Sequence, residues 1–379
     1  MIKNKPLTVL VVDDTAIFRK VISDVLTELP GVEVVGIAHN GKIALDKIAS
    51  LEPDLLTLDI EMPEMSGIEV LKYLKKEGVN TEAIMLSSLT DAGSDMTINA
   101  LELGAFDFIT KPQGRTLEEN KEAVKDSIAP ILKAFARQKA IKKTLRIKPL
   151  LIKEKGVSPE KEDKKVPVTD TKKSKTSRLK RGKAQLVAIG ISTGGPNALA
   201  TMLPEIPHDI GVPILIVQHM PPVFTQSLAK SLNMKCSIEV KEAVNGESLR
   251  PNTAFIAPGG KQMKIIAGAD GKKRIIKITD DPPENGCKPS ADYLFRSVSH
   301  HYIGRATGVI MTGMGVDGTE GLKLMYKNGS TIIAQDQESS VVFGMPKEPV
   351  KAGIVDRVAS LKNIAGEISK TVARKQVKN

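Results

Sequence analysis

The chain has 379 residues, of which 41% are hydrophobic and 26% are charged, and its formal net charge is +11. This length exceeds what one average domain needs, so we expect two domains joined by a linker. No apolar run approaches the roughly 20 residues of a membrane-spanning helix, and no apolar signal core follows Met1. We therefore expect a cytoplasmic protein that does not span a membrane.

Short apolar runs alternate with helix-period segments in residues 1–128, which we assign to a first domain. The runs predict strands at 7–12, 32–38, 54–60, 83–88 and 106–110, and the segments between them predict helices at 15–28, 42–51, 68–76 and 95–103. A further helical stretch extends from about Leu117 to Ala140. Such an alternation predicts an α/β domain, a doubly wound parallel sheet with helices on both faces.

Charged side chains stand at several strand ends of this first domain. Asp13 and Asp14 end the first strand, Asp59 ends the third, and Lys111 follows the fifth. The carboxyl ends of parallel strands line one crevice, where three carboxylates would repel one another without a cation. Magnesium suits oxygen ligands and bridges to phosphate, and Lys111 could pair with a phosphoryl group. The alternative is that the aspartates cap helices and turns.

Ser87, which ends the fourth strand, could hydrogen-bond the same phosphoryl group. The segments VLVVDDTAIFRK, LLTLDIEMPEMSGIEVL, IMLSSLT and GAFDFITKP resemble the receiver domains of two-component response regulators, which have a flavodoxin-like fold. The resemblance implies that Asp59 is the phosphoacceptor and that Asp14, Asp59 and the Glu61 carbonyl hold Mg²⁺, with Asp13 assisting. It also implies that Ser87 and Phe108 are switch positions.

The positive charge lies between the two domains. Residues 138–183 contain 17 Lys and Arg against 5 Asp and Glu, a net +12, so the rest of the chain carries −1. From 141 to 183 the chain is rich in Lys, Ser, Thr and Pro without aromatics, which predicts a solvated, mostly disordered linker after a helical extension from 129. No helix-turn-helix pattern accompanies it, so we expect no specific nucleic-acid binding. Contact with anionic lipid is an alternative to a simple tether.

Residues 184–372 resume the α/β pattern and form the second predicted domain, before a tail at 373–379. Strands are predicted at 185–191, 212–218, 253–257, 308–312 and 331–334, and a hairpin at 263–278 turns near 268–271. Cys236 and Cys287 lie far apart and in no metal-ligand spacing. We therefore expect neither a disulfide framework nor a zinc site, and interpret both as packing residues or incidental thiols.

Three residues that follow predicted strands could form a catalytic triad. Ser192 lies in a G-x-S-x-G sequence between a strand and a plausible helix, the context of a nucleophile turn. That pattern alone also fits a helix cap or a phosphate-binding loop. His219 and Asp317 follow two further strands, so all three can meet at one crevice as nucleophile, base and orienting acid. The order Ser, His, Asp differs from the Ser, acid, His of the α/β-hydrolase fold.

The stretches AIGISTGGPNAL, ILIVQHMPPVFTQSLAKSLN, FIAPGG, KPSADYLFRSV and VIMTGMGVDGTEGL resemble the catalytic domain of chemotaxis protein-glutamate methylesterases, the CheB family. The resemblance implies hydrolysis of glutamate γ-methyl esters on methyl-accepting chemotaxis receptors, and deamidation of receptor glutamines, without a cofactor for hydrolysis. It implies that the Met314 backbone amide stabilises the oxyanion, and we predict that the Thr193 hydroxyl is a second donor. A histidine kinase would be the phosphodonor, and phosphorylation would uncover the active site.

Two other functions compete with this interpretation. The second domain could be a degenerate esterase that acts as a binding or regulatory module, which a methanol-release assay would distinguish. Alternatively, the chain could be a DNA-binding response regulator. Steeply salt-dependent binding to a particular DNA sequence would favour this alternative.

Overall fold

The computed structural model describes residues 5–114, 116–151, 179, 181–269, 271 and 273–372. Of the linker predicted at 141–183, residues 152–178 and 180 lie outside the described residues, as does the tail at 373–379. Among the described residues, no helix combines the length and apolar character needed to cross a bilayer.

The N-terminal domain contains a five-stranded parallel sheet with the strand order β2-β1-β3-β4-β5. Its elements are β1 (Leu7–Val12), α1 (Ala16–Glu28), β2 (Val32–Ala38), α2 (Gly41–Leu51), β3 (Leu55–Asp59), α3 (Gly67–Glu77), β4 (Glu82–Ser87), α4 (Asp91–Leu103), β5 (Asp107–Thr110) and α5 (Leu117–Leu151). The predicted strands and helices are present within a few residues. The central strands β3 and β4 are almost entirely buried, as expected of a sheet covered on both faces.

Local signals explain several helix boundaries. The Asn40 side chain accepts a hydrogen bond from the Ile43 amide at the start of α2, and Ser66 and Glu69 form a reciprocal capping box at the start of α3. Helix α5 continues to Leu151, beyond the predicted end near Ala140. The charge and composition of this segment indicate a solvated linker, but its Lys, Leu and Arg residues are also good helix formers.

The C-terminal domain contains a seven-stranded sheet whose neighbouring strands are all parallel, with the order β14-β13-β12-β6-β7-β9-β8. Its strands are β6 (Leu186–Ile191), β7 (Ile214–Gln218), β8 (Glu239–Glu242), β9 (Thr253–Ile256), β12 (Ala306–Ile310), β13 (Thr331–Gln335) and β14 (Arg357–Ala359), and the antiparallel hairpin consists of β10 (Gln262–Ala267) and β11 (Arg274–Thr279). The sequence predicted the hairpin and five of these strands but not β8 and β14. The α/β class with mainly parallel sheets is confirmed.

Helices cover both faces of this sheet. They are α6 (Gly195–Met202), the 3₁₀ helix Leu203–Glu205, α7 (Phe224–Asn233), α8 (Ala291–His301), α9 (Thr319–Lys327), α10 (Lys347–Lys351) and α11 (Leu361–Thr371). Strand β6 lies at the centre, with β7 on one side and β12 on the other, so the chain reverses its direction of winding at β6. Ligand crevices of open α/β sheets form at such a point, outside the carboxyl ends of the strands.

The two domains meet through α4 and β5 of the first and α7 of the second. The Phe108 and Phe224 rings pack with their centroids 4.7 Å apart, and the Ser94 and Ser227 hydroxyls lie 2.7 Å apart. Glu102 accepts a hydrogen bond from the Ser231 hydroxyl and pairs with Lys235. The contact therefore combines an aromatic pair and a buried bond between two hydroxyls with partly exposed polar and charged groups.

Candidate active site

Ser192 and His219 follow two strands that are hydrogen-bonded side by side. Ile191 at the end of β6 is in register with Gln218 at the end of β7, so the next residues are neighbours across strands about 4.8 Å apart. The buried Gln218 side chain ties the two strand ends together, because its amide nitrogen donates to the Ser192 carbonyl at 3.1 Å and to the His219 carbonyl at 3.2 Å. The parallel pairing thus brings together two of the predicted catalytic residues.

Glycines allow the chain to close tightly around Ser192. Gly194 has φ +73°, and a Cβ atom at Gly195 would lie 1.9 Å from the Gln218 side-chain oxygen. A Cβ atom at Gly313 would lie 2.7 Å from the Ser192 Cβ. The Gly313 backbone therefore passes directly beside Ser192, next to the predicted oxyanion donor, the Met314 amide.

Asp317 holds the His219 ring and also caps a helix. Its Oδ2 accepts from His219 Nε2 at 2.8 Å and from the Ala291 amide at 2.6 Å. Its Oδ1 accepts from the Ser290 hydroxyl at 2.7 Å, from Asn285 Nδ2 at 3.1 Å and from the first turn of α8. Because a buried carboxylate must be compensated by donors, this network fixes the acid and, through it, the ring.

The pKa values of the pair follow from these contacts. Burial acts to raise the pKa of Asp317, but the hydrogen bond and charge of His219, with the Ser290 and Ala291 donors, lower it to about 2. Burial acts to lower the pKa of His219, but its hydrogen bonds with Asp317 and Cys287 raise it to about 9. Since Nε2 faces a carboxylate, it carries the proton in the neutral ring, and Nδ1 is the basic nitrogen.

The Cys287 thiol lies at this basic nitrogen, with Sγ 3.5 Å from His219 Nδ1. Cys287, which the sequence indicates as a packing or incidental thiol, therefore contacts the predicted catalytic base. Chain spacing did not reveal this contact, because Cys287 is 68 residues from His219 and reaches it through the loop that enters α8. In the part of the chain that the structure describes, no hydrogen bond joins Ser192 Oγ to His219.

The predicted oxyanion residues contact the N-terminal domain. The Thr193 side chain interacts with the Asp107 carboxylate at the start of β5. The Met314 side chain packs with Val341 and Val342 against the apolar core of the N-terminal domain. The nucleophile loop is thus in direct contact with the other domain in this structure.

Asp107 also has a perturbed acidity. Burial raises its pKa to about 6, although the hydrogen bond from the Phe108 amide and the interaction with the Thr193 side chain oppose the rise. An aspartate at the domain contact would therefore take up a proton in mildly acidic solution.

The predicted acidic crevice of the N-terminal domain forms at the ends of β1, β3 and β5. Oxygen atoms of Asp13, Asp14 and Asp59 lie within 4.8 Å of one another, and Lys111 Nζ is 2.8 Å from Asp13 Oδ2 and 2.7 Å from Asp59 Oδ2. The adjoining cavity of about 280 Å³ is also lined by Glu61. Burial, with repulsion by Asp13 and Asp14, outweighs Lys111 and raises the pKa of Asp59 to about 6. Three oxygen donors beside an open cavity fit a Mg²⁺ ion.

The two predicted switch residues lie apart from the carboxylates. Ser87 is buried, and its hydroxyl accepts from the Thr97 hydroxyl at 2.6 Å, so it faces α4 rather than the cavity. The neighbouring Ser88 lines the cavity instead. Phe108 points the other way, onto Phe224 of the C-terminal domain. In this conformation, therefore, Ser87 cannot contact a group on Asp59 without rotating away from Thr97.

Sequence reasoning missed the donors that surround Asp317. Ser290 caps α8 through the Tyr293 amide, and Asn285 bridges Asp292 and Asp317. The only available signal was the KPSADYLFRSV stretch, which begins one residue after Cys287 and contains the serine and the start of the helix.

Comparisons with known proteins identify the family to which both domains belong. Residues 9–122 match the response regulator receiver domain, and residues 187–368 match CheB methylesterase. A protein-glutamate methylesterase/protein-glutamine glutaminase of Desulfotalea psychrophila is 56% identical over 375 residues, which cover 97% of this chain and 99% of that protein. The Bacillus subtilis protein of the same name is 43% identical over 374 residues, covering 97% and 99%. The chain therefore belongs to the protein-glutamate methylesterase/protein-glutamine glutaminase family, with a receiver domain followed by a CheB methylesterase domain.

Proposed function

We propose that this chain hydrolyses glutamate γ-methyl esters of methyl-accepting chemotaxis receptors, deamidates receptor glutamines, and uses Ser192 as its nucleophile. The observation that carries the proposal is the orientation of His219. Asp317 binds Nε2, which leaves Nδ1 as the basic nitrogen, and the register of β6 with β7 makes His219 and Ser192 neighbours at adjacent strand ends. A serine hydroxyl requires such an oriented base to become nucleophilic.

The reaction then proceeds in two acyl-transfer steps. Ser192 Oγ attacks the ester carbonyl as His219 Nδ1 accepts its proton, and Asp317 stabilises the imidazolium that forms. The protonated ring gives the proton to the departing methoxide, so methanol leaves and an acyl-enzyme remains. Water, deprotonated by the same nitrogen, hydrolyses the acyl-enzyme and releases glutamate. With a glutamine substrate, ammonia leaves in place of methanol.

The Met314 amide stabilises the oxyanion of both tetrahedral intermediates. Its position is supported by the close approach of Gly313 to Ser192. Preorganised donors of this kind each contribute about 3–4 kcal/mol to transition-state stabilisation. The Thr193 hydroxyl becomes a second donor once its interaction with Asp107 is released, so separation of the domains completes the site.

Phosphorylation of Asp59 by a histidine kinase controls this separation. Asp13, Asp14, Asp59 and the Glu61 carbonyl would hold Mg²⁺, which would supply charge neutralisation for phosphoryl transfer. Lys111 bonds two of these carboxylates and is placed to pair with the phosphoryl oxygens. Phosphorylation shifts the population of molecules toward forms in which the receiver no longer contacts the nucleophile loop.

The protein works in the cytoplasm, where the receptor helices and the kinase are found. We propose that the segment at 129–183 acts as an extension and tether between the domains 1–128 and 184–372. Specific nucleic acid is not among the proposed partners, because the charge lies in this segment rather than at either site. Hydrolysis itself uses protein groups alone.

The decisive experiment is methanol release from methylated receptors in membranes, with and without a small-molecule phosphodonor. Ser192→Ala should lower turnover by roughly 10⁶-fold. Ser369→Ala, whose hydroxyl bonds only the carbonyl one turn earlier in α11, is the matched control and should retain full activity. Unchanged methanol release by Ser192→Ala would exclude the proposed nucleophile, and an inactive wild-type protein would favour the degenerate-esterase alternative.

A separate variant tests the control by phosphorylation. Asp59→Asn should keep the basal rate and lose the response to the phosphodonor, since the amide cannot accept a phosphoryl group. A response that survives this change would place the phosphoacceptor elsewhere.

A further inference from the structure

Cys287 is a half-buried thiol in the active site for which the proposed reaction has no use. Its Sγ lies 3.5 Å from His219 Nδ1, the ring nitrogen that must accept the Ser192 proton. The opposite nitrogen is bonded to Asp317. One atom each of His219, Cys287 and Asp317 lie within 4.8 Å of one another, a grouping able to hold a metal ion.

The spacing of sulfur and nitrogen matches a zinc ion between them. Zinc binds thiolate sulfur at about 2.3 Å and imidazole nitrogen at about 2.0–2.1 Å, and a tetrahedral angle then separates the two ligand atoms by about 3.5 Å. No movement of either side chain is needed to reach this distance. The His219 side chain is 13% exposed, so an ion can enter from solvent.

The rest of the arrangement is that of a metal-binding histidine. Histidines that bind metals usually donate their other ring N–H to a carboxylate, which fixes the ring and raises its basicity. The bond between Nε2 and Asp317 supplies this contact, and the donors around Asp317 hold the carboxylate in turn. The metal preference of this site differs from that of the aspartate crevice in the receiver, because thiolate and imidazole favour Zn²⁺ whereas carboxylates favour Mg²⁺.

We propose that Zn²⁺ binds across Cys287 Sγ and His219 Nδ1 and reversibly inhibits the esterase. Binding releases the thiol proton and, from a protonated ring, the Nδ1 proton, and it forms the Zn–S and Zn–N bonds, with water completing the coordination. The lone pair of Nδ1 is then held by the metal and cannot accept the Ser192 proton. The inhibition rests on the proposed role of His219, whereas the metal binding does not. The spacing of the two cysteines gave no sign of this site, because its second ligand is a distant histidine.

Direct binding is tested on the full chain with Co²⁺ as a spectroscopic probe, in excess Mg²⁺ to fill the receiver. Wild type should give a near-ultraviolet sulfur-to-cobalt charge-transfer band that Zn²⁺ displaces. Cys287→Ala should lose the band and Cys236→Ala should keep it, because Cys236 follows the end of α7 and packs against the apolar core beside Lys235. A band that persists in Cys287→Ala, or disappears in Cys236→Ala, would overturn the assignment.

Inhibition is tested by Zn²⁺ titration of methanol release. Wild type should be inhibited and recover on addition of EDTA, and Cys287→Ala should need at least about 10-fold more Zn²⁺. Equal sensitivity of the two proteins would refute the inhibitory role. Ser192→Ala should keep the cobalt band although it is inactive, so failure of the metal site and failure of the proposed nucleophile give different results.

A third measurement needs no variant and so does not depend on folding of Cys287→Ala. Zn²⁺ should protect Cys287 of the wild-type protein from iodoacetamide, as mass spectrometry of the peptides would show. Cys236 is the internal control, since burial raises the pKa of its thiol to about 11 and its slow alkylation should not respond to Zn²⁺. Alkylation of Cys287 at the same rate with and without Zn²⁺ would contradict the proposal.

Discussion

Asp317→Asn replaces a carboxylate that only accepts hydrogen bonds with an amide that has one accepting and one donating side. Oδ2 faces the His219 Nε2–H and the Ala291 amide, and Oδ1 faces Ser290, Asn285 and the first turn of α8. Either orientation of the amide places its NH₂ group against at least two donors. The substitution therefore leaves buried donors unpaired, whichever way the side chain turns.

The magnitude follows from the acidity of Asp317. Its pKa falls from the ordinary value of 3.8 to about 2, and one pKa unit corresponds to about 1.4 kcal/mol, so ionised Asp317 contributes about 2 kcal/mol to folding. Because the folded pKa is depressed, this contribution is complete above pH 4 and is lost as the pH falls toward 2. Adding unpaired donors, we expect Asp317→Asn to lower the free energy of unfolding by about 2–5 kcal/mol at neutral pH.

We expect Asp317→Asn to lower turnover by more than its loss of stability alone would cause. A neutral amide can hold the wrong tautomer of His219, with the proton on Nδ1, and such a change costs about 10⁴-fold in turnover. Methanol release measures this loss. Tyrosine fluorescence during urea unfolding measures stability, because the chain has no tryptophan and three of its four tyrosines lie between 293 and 326.

Asp292→Asn is the matched control. Asp292 accepts from the Gly321 amide at 2.6 Å and from Asn285 at 3.0 Å but does not contact His219. Burial and the nearby Asp317 already raise its pKa, so loss of its charge should cost about 1 kcal/mol or less and leave turnover within about 10-fold. Similar stability and turnover of Asp317→Asn and wild type, or equal losses in both variants, would refute the reasoning.

Two further predictions concern the domain contact and the base. Phe108→Ala removes the ring that packs on Phe224, a contact worth about 0.5–1.5 kcal/mol beyond its buried area. Methanol release without phosphodonor should therefore rise about 2- to 13-fold. An unchanged basal rate would contradict a closed resting state. The value of kcat/KM should increase with pH around pH 9, as His219 loses its proton. Cys287→Ala should move this increase to lower pH, because it removes one of the contacts that raise the pKa of His219. An increase at the same pH in both proteins would exclude the thiol as a cause.

The sequence predicted the strand ends well because the strands are short, buried and rich in apolar residues. Ser192, His219 and Asp59 could be placed from this alone, since each ends or follows such a run. The sequence does not predict the end of α5, because the composition of a Lys-rich segment indicates a solvated linker, although most of its residues, Pro149 excepted, tolerate a helix. Strand β14, with three residues, is too short for any periodicity to appear.

Contacts made by loops and by docking of the domains could not be predicted in the same way. Cys287 reaches His219, and Asn285 reaches Asp317, through the segment between β11 and α8, whose path depends on packing rather than on periodicity. The Thr193 contact with Asp107 depends on how two separately folded domains meet. Ser87 was placed at the correct strand end, but the sequence does not encode which way its hydroxyl turns.

Strand β5 offers a short route between the phosphorylation site and the esterase. Lys111, directly after the strand, bonds Asp13 and Asp59, whereas Asp107 and Phe108, at its start, contact Thr193 and Phe224. Four residues of strand span about 13 Å. A phosphoryl group on Asp59 would draw Lys111 toward new oxygen atoms, and a small shift of so short and rigid a strand would act directly on Asp107 and Phe108. Because Thr193 is also a proposed oxyanion donor, the same displacement that separates the domains would free a catalytic hydroxyl.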